Sequence, residues 1–103
     1  MAATRVFIHG LESTSQGTKG VYFRESYPGM IIEDYTGSLE ERMTKLEAVL
    51  AVKEDLILVG SSYGGLMAAI YACRHPERVR RLILLAPAIN LEEFTPYTSH
   101  ALT

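Results

Sequence analysis

The stretch that decides the fold reads LILVGSSYGGLMAAIYA and runs from Leu56 to Ala72. Its first four residues form a continuous apolar run, which is typical of a strand covered on both faces of a parallel sheet. Its second half is rich in small and apolar residues and predicts a helix from about Gly64 to Arg74, which Pro76 prevents from continuing. Between the two lies a G-x-S-x-G pentapeptide, Gly60 to Gly64. The stretch therefore predicts a strand, a tight turn centred on Ser62, and a helix.

Three further apolar runs predict strands: Thr4 to Ile8, Met30 to Glu33, and Arg81 to Ala86. Helical patterns separate them, weakly from about residue 17 to 27 and firmly from the capping box Ser38 to Glu41 as far as about Val52. The firm helix turns one apolar stripe inward and is predicted to expose Glu40, Arg42, Lys45 and Glu47 to water. This alternation predicts a single α/β domain over residues 1–103, with a parallel sheet of about four strands and helices on both faces.

Composition narrows the class of protein. The chain is 48% hydrophobic and 21% charged, as in an ordinary globular domain. Its 10 basic and 12 acidic residues are intermixed and leave no basic stripe for nucleic acid or an anionic membrane. The apolar helical stretch Leu66 to Cys73 is too short to cross a bilayer, and the first residues contain no signal-peptide core. We therefore predict a cytoplasmic protein with a small-molecule partner, and Cys73 is interpreted as a core residue.

The chemistry of the turn points to Ser62. A bend this sharp would hold the serine in strained backbone geometry and project its hydroxyl beyond the sheet. Gly60 and Gly64 are needed because a Cβ at either position would collide with the adjoining strand or helix, and Gly65 lets the helix pack closely. The amino terminus of the helix would direct N–H groups toward a developing oxyanion. We favour a nucleophilic Ser62 over a plain glycine turn because a strand precedes the motif and a helix follows it.

Three segments make the chain resemble the α/β-hydrolase superfamily, and small carboxylesterases in particular: Val6 to Leu11, Leu56 to Gly65, and Val79 to Pro87. The first resembles the strand whose His9-Gly10 turn supplies an oxyanion-hole amide, here that of Leu11. The second resembles the nucleophile elbow, with Ser62 as nucleophile and the Tyr63 amide as the other donor. The resemblance covers nearly the whole chain and corresponds to the amino-terminal part of that fold.

The resemblance also implies a strand order of second, first, third and fourth. Ligands of open α/β sheets bind at the point where the strand order reverses, here between the first and third strands. His9-Gly10 and Ser62 both lie there, whereas Asp34 follows the edge strand and is predicted only to cap or solvate the strand end. Tyr63 either lines the substrate pocket or packs on the neighbouring loop. No cofactor is implied, and no metal, because no His, Cys or carboxylate cluster has metal-ligand spacing.

Ser62 needs a base to take its proton, and members of the family carry an acid and a histidine after later strands. His75 lies about 15 Å along the helix from the site, at 1.5 Å rise per residue, which excludes it. His9 is expected to shape the oxyanion loop through structural hydrogen bonds. The remaining histidine, His100, with Glu92 or Glu93 as its acid, is the less favoured base, because a tail without a predicted element seldom holds catalytic geometry to about half an ångström.

Two hypotheses of different class follow. The first is the amino-terminal part of a serine hydrolase that cleaves an ester or related acyl compound through an acyl-enzyme on Ser62. Its acid and histidine would lie beyond Thr103, and the 103-residue chain alone would be weakly active or inactive. The second is a truncated, non-catalytic or assembly-dependent half-domain that keeps a ligand pocket. In that case the unpaired apolar edge at Leu82 to Leu85 could pair with a second copy, giving a homo-oligomer.

Overall fold

The computed structural model describes residues 3–10 and 14–85. The elements are, in chain order, β1 (Thr4–Ile8), α1 (Thr18–Ser26), β2 (Ile31–Ile32), α2 (Leu39–Val49), β3 (Leu56–Ser61), α3 (Tyr63–Arg74) and β4 (Val79–Leu85), with a short 3-10 turn at Pro76–Arg78. The predicted alternation of strands and helices is confirmed. The α/β class therefore follows from hydrophobic periodicity alone.

The ends of the elements differ from the prediction by about two residues. β3 continues to Ser61 and β4 begins at Val79, because the two strands pair along their whole length, from Leu56 opposite Val79 to Ser61 opposite Leu85. β2 is shorter than predicted, since the pairing with β1 is limited to Ile31 and Ile32. The length of each strand is thus set by its pairing with the neighbouring strand. The hydrophobicity of a single segment does not predict that pairing.

The four strands form one sheet in the order β2-β1-β3-β4, and every neighbouring pair is parallel. This is the order that the resemblance implied. β1 and β3 lie side by side, with Ile8 opposite Gly60 at their carboxyl ends. The residues that follow these two strands, His9-Gly10 and Ser62, therefore leave the sheet at adjacent points.

Helices cover both faces of the sheet, as predicted. On one face α2 and α3 bury a core with alternate strand residues, including Val6, Ile8 and Leu58. On the other face α1 packs on β1, where the rings of Phe7 and Phe23 lie 5.0 Å apart. Cys73 packs against the core as predicted, and burial raises the pKa of its thiol. No helix within the described ranges is long and apolar enough to cross a membrane.

The start of α2 confirms the predicted capping box. The Ser38 hydroxyl accepts a hydrogen bond from the Glu41 amide at 3.1 Å, and the Glu41 carboxylate accepts one from the Ser38 amide at 2.9 Å. The prediction that Arg42 is exposed on the polar face of α2 is wrong, because its side chain is buried, at 5% exposure. Its Nε donates to the carbonyl of Gly37 at 2.9 Å, and its guanidinium lies over the ring of Tyr63.

β4 is covered on one face only by the residues that the structure describes. Leu82 and Leu84 pack against the core formed with α2 and α3, as expected. On the opposite face Ile83 is 37% exposed and Leu85 lines a groove of about 150 Å³ beside α1. Within the described residues α1 packs on β1 and leaves this face of β4 open.

Candidate active site

Ser62 occupies a strained turn between β3 and α3. Its backbone angles are φ 56° and ψ −121°, in a region that non-glycine residues enter at a cost of about 1–3 kcal/mol. Its amide donates to the carbonyl of Leu85 at 3.0 Å, and its own carbonyl accepts from the Gly65 amide at 2.9 Å. The strained conformation is thus held by β4 on one side and by α3 on the other. Ser62 is exposed although both Ser61 and Gly64 are buried, so the predicted projecting geometry is present.

The glycines of the motif permit very close backbone approaches. A Cβ at Gly60 would lie 2.4 Å from the carbonyl oxygen of Gly64 and 2.7 Å from the Cα of Gly65. A Cβ at Gly64 would lie 2.0 Å from the carbonyl oxygen of Ile8. Real side chains do not tolerate such contacts. The glycines therefore let α3 begin directly against the ends of β1 and β3.

The turn after β1 lies against Ser62. A Cβ at Gly10 would lie 3.0 Å from the Cβ of Ser62 and 3.4 Å from its Oγ. The early glycine corner and the serine turn therefore meet, as the switch point between β1 and β3 predicted. Tyr63, the residue after the serine, begins α3, where the helix dipole is positive. An anionic oxygen developing beside Ser62 would meet this positive end.

His9 makes the structural hydrogen bonds that were expected of it. It is buried, its Nδ1 lies 2.7 Å from the carbonyl oxygen of Gly10, and its Nε2 lies 2.9 Å from the amide nitrogen of Tyr35. Because the Tyr35 amide can only donate, Nε2 accepts and the proton is assigned to Nδ1, which donates to Gly10. Both ring nitrogens are thereby used. His9 fixes the corner beside Ser62 and is not positioned to take its proton.

The other histidine in the described ranges is also committed elsewhere. His75 caps the far end of α3, and its Nε2 lies 2.8 Å from a carboxylate oxygen of Glu47. Neither described histidine can therefore serve Ser62 as a base. Leu11, Glu92, Glu93 and His100 lie outside the described residues, so their predicted roles stay predictions. Within residues 3–10 and 14–85 no three His, Cys, Asp or Glu side chains gather as a metal site would require.

Tyr63 contacts the core and a residue of α2, a contact that neither of its two predicted roles specified. Its half-buried ring contacts the core, and the guanidinium carbon of Arg42 lies 5.6 Å from the ring centroid. A cation at this distance from an aromatic face is attracted to it. The position of Arg42 on the polar face of α2 predicts that its side chain is exposed to water. Its contact with Tyr63 depends on how α2 packs beside α3, which helical periodicity does not encode.

Asp34 makes a contact that its sequence position did not suggest. Its Oδ1 accepts a hydrogen bond from the Ser15 amide at 2.7 Å and lies 4.0 Å from Nε2 of His9. Hydrogen bonding to Ser15 lowers the pKa of the Asp34 carboxyl. The prediction that Asp34 only caps or solvates its strand end is therefore incomplete. The contact joins residues 19 positions apart, and no local sequence signal connects them.

Comparisons with known proteins agree on the family. A family model described as alpha/beta hydrolase fold matches residues 7–101. The chain is 46% identical over 67 residues to a cis-3-alkyl-4-alkyloxetan-2-one decarboxylase of Shewanella oneidensis, covering 61% of this chain and 20% of that protein. It is 30% identical over 82 residues to a homoserine O-succinyltransferase of Saccharophagus degradans, covering 80% and 20%. It is 57% identical over 35 residues to a 2-hydroxymuconate semialdehyde hydrolase of a Pseudomonas species, covering 34% and 12%.

Solved structures show the same fold. Alpha/beta hydrolase domain-containing protein 10 from mouse superposes with a TM-score of 0.71 at 25% identity, over 93% of this chain and 49% of that chain. Est1E from Butyrivibrio proteoclasticus, solved with ferulic acid bound, superposes with a TM-score of 0.71 at 23% identity, over 84% and 43%. The chain spans about half the length of these structures and a fifth or less of the three curated relatives. With a family match over residues 7–101 and a fold that superposes on these structures, the chain belongs to the α/β-hydrolase fold family.

Proposed function

We propose that the chain carries the nucleophile of a serine hydrolase that acts on an ester or a related small-molecule acyl compound. One observation supports this most directly: Ser62 is exposed at a positive φ, at the start of a helix and against Gly10. Strained serines of this kind sit where a hydroxyl must reach a substrate above the sheet. A structural turn would be relieved of its strain by glycine at the same position.

The proposed reaction begins with attack of Ser62 Oγ on the acyl carbonyl carbon. The carbonyl oxygen becomes an oxyanion, and we assign its stabilisation to the backbone amides of Leu11 and Tyr63. The tetrahedral intermediate expels the leaving group and leaves an acyl-enzyme on Ser62, which water then hydrolyses. His9, Gly10, Gly60, Gly64 and Gly65 shape the site without taking part in proton transfer.

The hydroxyl proton needs an acceptor that the described residues do not provide. We propose that the histidine and its acid lie beyond Thr103, and His100 with Glu92 or Glu93 remains the less favoured source. Sequencing the coding region past Thr103 tests this directly. We expect an Asp and a His after two later strands, in the chain order that α/β-hydrolases use.

The relatives support acyl chemistry in general terms. By their names, one acts on an oxetan-2-one, which is a cyclic ester, one transfers a succinyl group, and one is a hydrolase. A serine that accepts an acyl group can pass it to water or to another acceptor. We therefore propose an acyl substrate without naming its acyl or leaving group, and we keep the cytoplasmic location as a prediction.

A serine-directed fluorophosphonate and an activated ester test the proposal. We expect the label on Ser62 by mass spectrometry, and we expect Ser62→Ala to abolish labelling and ester turnover together. Ser61→Ala is the matched control, because Ser61 precedes the nucleophile but is buried in β3. Both should be measured on the 103-residue chain and on the product of the complete coding region. Turnover that survives Ser62→Ala unchanged would remove the serine from the mechanism.

A second function remains for the chain on its own. Among the described residues β4 pairs only with β3, and Ile83 on its open face is 37% exposed. An apolar strand with a free edge favours pairing with another strand. The alternative proposal is a non-catalytic or assembly-dependent half-domain that self-associates through β4 and keeps a ligand pocket. Labelling of Ser62 with turnover argues against it, and a monomer in solution argues against self-association.

A further inference from the structure

A buried positive charge lies beside the start of α3. Arg42 on α2 is 5% exposed, and its guanidinium carbon lies 5.6 Å from the centroid of the Tyr63 ring. Tyr63 is the first residue of α3 and directly follows Ser62. A guanidinium group in a protein is always charged. The positive end of the α3 dipole therefore has a full positive charge beside it.

No carboxylate within residues 3–10 and 14–85 forms an ion pair with Arg42. The ion pairs of these residues join other side chains, and Nη1 of Arg42 is buried without a hydrogen-bond acceptor among them. Taking a charge out of water costs free energy unless a partner compensates for it. An apolar side chain of similar size would avoid that cost. A buried polar group without a partner calls for an explanation, and a role in catalysis is one that other proteins provide.

The guanidinium is held in place over the Tyr63 ring. Its Nε donates to the carbonyl of Gly37 at 2.9 Å. Gly37 directly precedes the capping box in which Ser38 and Glu41 exchange hydrogen bonds. The carbonyl that orients Arg42 therefore adjoins the fixed start of α2. The contact between Arg42 and the ring thus connects the start of α2 to the start of α3.

We propose that Arg42 is a positioning residue for the oxyanion. Its guanidinium, acting through the Tyr63 ring, holds the first turn of α3 so that the Tyr63 amide faces the oxygen that becomes negative at Ser62. This inference rests on the proposed function, because the position of that amide affects a rate only if Ser62 reacts. It explains why a charge is kept in a buried position that an apolar side chain could fill. Arg42 need not touch the substrate to fill this role.

The test compares Arg42→Met and Arg42→Lys with the wild type, in the 103-residue chain and in the product of the complete coding region. Phosphonylation develops negative charge on an oxygen beside Ser62, so its rate depends on the oxyanion donors. We expect Arg42→Met to lower the phosphonylation rate and kcat of ester hydrolysis about tenfold, with KM changed less than about twofold. Arg42→Lys keeps a cation that can lie over the ring and should lose only about two- to threefold.

Arg74→Met is the matched control. Arg74 also connects α3 to α2, since its Nη1 donates to a carboxylate oxygen of Glu47 at 3.3 Å. It is the last residue of α3 and lies at the end of the helix opposite to Ser62. We therefore expect Arg74→Met to react like the wild type. A loss of rate in Arg74→Met equal to that in Arg42→Met would overturn the proposal, because any contact between the two helices would then have the same effect.

A double-mutant cycle tests whether Arg42 acts through the ring. Tyr63→Leu removes the aromatic face but keeps the backbone amide, and we expect it to lower kcat about as much as Arg42→Met. If both substitutions remove the same contact, the double variant should lose about as much rate as either single variant. Losses that multiply in the double variant would overturn the route through Tyr63.

Hydrogen exchange provides a readout that does not depend on activity. The Gly65 amide donates to the Ser62 carbonyl at 2.9 Å, within the first turn of α3. We expect this amide to exchange at least about tenfold faster in Arg42→Met than in the wild type, with exchange in β1 unchanged. Rates are corrected for the folded fraction measured by circular dichroism. If Arg42→Met does not fold, Arg42→Lys carries the test, with its smaller loss of rate and faster Gly65 exchange expected.

The outcomes separate the two proposals. A folded Arg42→Met that labels Ser62 at the wild-type rate overturns the positioning role and leaves the serine hydrolase proposal standing. A loss of rate no larger than the loss of folded protein also overturns it, because Arg42 would then serve stability alone. If the wild type is not labelled at Ser62 in either protein, the proposed function fails and the positioning role fails with it.

Discussion

At the residue scale, the site depends on glycines, because these residues have no Cβ. Gly60 and Gly64 each face backbone atoms at a distance that leaves no room for a Cβ, and a Cβ at Gly10 would lie only 3.0 Å from the Cβ of Ser62. The sequence predicted the reason for the glycines that flank Ser62, because a G-x-S-x-G turn between a strand and a helix forces the two elements together. It did not predict how Asp34 reaches Ser15. That contact joins a loop to a strand end and has no periodic or local signal.

The close contacts of Gly64 predict that Gly64→Ala loses much more unfolding free energy than Gly29→Ala. Gly64→Ala should destabilise the fold by about 1–3 kcal/mol, the usual cost of forcing an extra group into a packed site. The reason is that the new methyl group would meet the backbone of Ile8, the last residue of β1, and of His9, which follows it and is held by its ring hydrogen bonds. Urea denaturation of the two variants and the wild type measures this cost.

Gly29→Ala is the matched control for Gly64→Ala. A Cβ at Gly29 meets no atom within 4 Å, so the substitution should change the unfolding free energy by less than about 0.5 kcal/mol. Equal stability of the two variants would show that α3 can withdraw from β1. In that case the contact between Gly64 and β1 would not be what holds the Ser62 turn.

At the element scale, the type and order of the helices and strands were predicted correctly. The errors concern the burial of single side chains and the positions where strands end. Arg42 is buried although its position on α2 places it among polar residues, because the ring of Tyr63 at the start of α3 lies beneath its guanidinium. β3 and β4 are longer than predicted because each extends the pairing of the other. Periodicity within one segment fixes the type of element, whereas contacts between segments fix its ends and the environment of each side chain.

The capping box of α2 gives a prediction at this scale. Ser38→Ala removes the hydroxyl that accepts the Glu41 amide and should cost about 1 kcal/mol of stability at neutral pH. Ser38→Asp should retain most of the stability, since its carboxylate can accept the same hydrogen bond. Thermal or urea unfolding of the three proteins measures the difference. A Ser38→Asp variant as unstable as Ser38→Ala would contradict the capping role.

The cost of Ser38→Ala should also depend on pH. Hydrogen bonds from the amide and side chain of Ser38 lower the pKa of the Glu41 carboxyl below its ordinary value of 4.5. A carboxyl whose pKa is lower in the folded state stabilises the fold above its unfolded pKa, and this contribution is lost as the pH falls through the folded pKa. Ser38→Ala keeps the backbone amide and loses only the side-chain part of this effect, so the stability difference between wild type and Ser38→Ala should narrow only in part on acidification below about pH 4.5. Unfolding curves at neutral and acidic pH check the sign.

At the scale of the whole molecule, the residues that the structure describes cover the two faces of the sheet unequally. α2 and α3 seal one face, and the largest buried side chains lie there or on β1. The other face carries α1 and, beside it, an apolar groove of about 150 Å³. The groove is lined by residues of β1, α1, β3 and β4 and of the segment after α1: Arg5, Phe23, Tyr27, Met30, Ile57, Val59, Ile83 and Leu85. Parallel sheets are normally covered on both faces. Within residues 3–10 and 14–85, the half of the sheet formed by β3 and β4 is therefore the less covered part of this face.

This asymmetry predicts how the 103-residue chain behaves in solution. Among the described residues the outer edge of β4 is unpaired and Ile83 is exposed, so we propose that β4 pairs with a second copy and expect self-association that strengthens with protein concentration. Ile83→Lys should weaken the association at least tenfold, because charged side chains on an edge strand oppose pairing. Val52→Lys is the control, since Val52 is 87% exposed in the turn after α2 and is not part of β4, so its substitution should leave the association unchanged. Sedimentation velocity over a hundredfold range of concentration measures the association of all three proteins.

A wild-type chain that stays monomeric over the whole range would rule out edge pairing through β4. Equal weakening by both lysine substitutions would assign the association to general surface hydrophobicity.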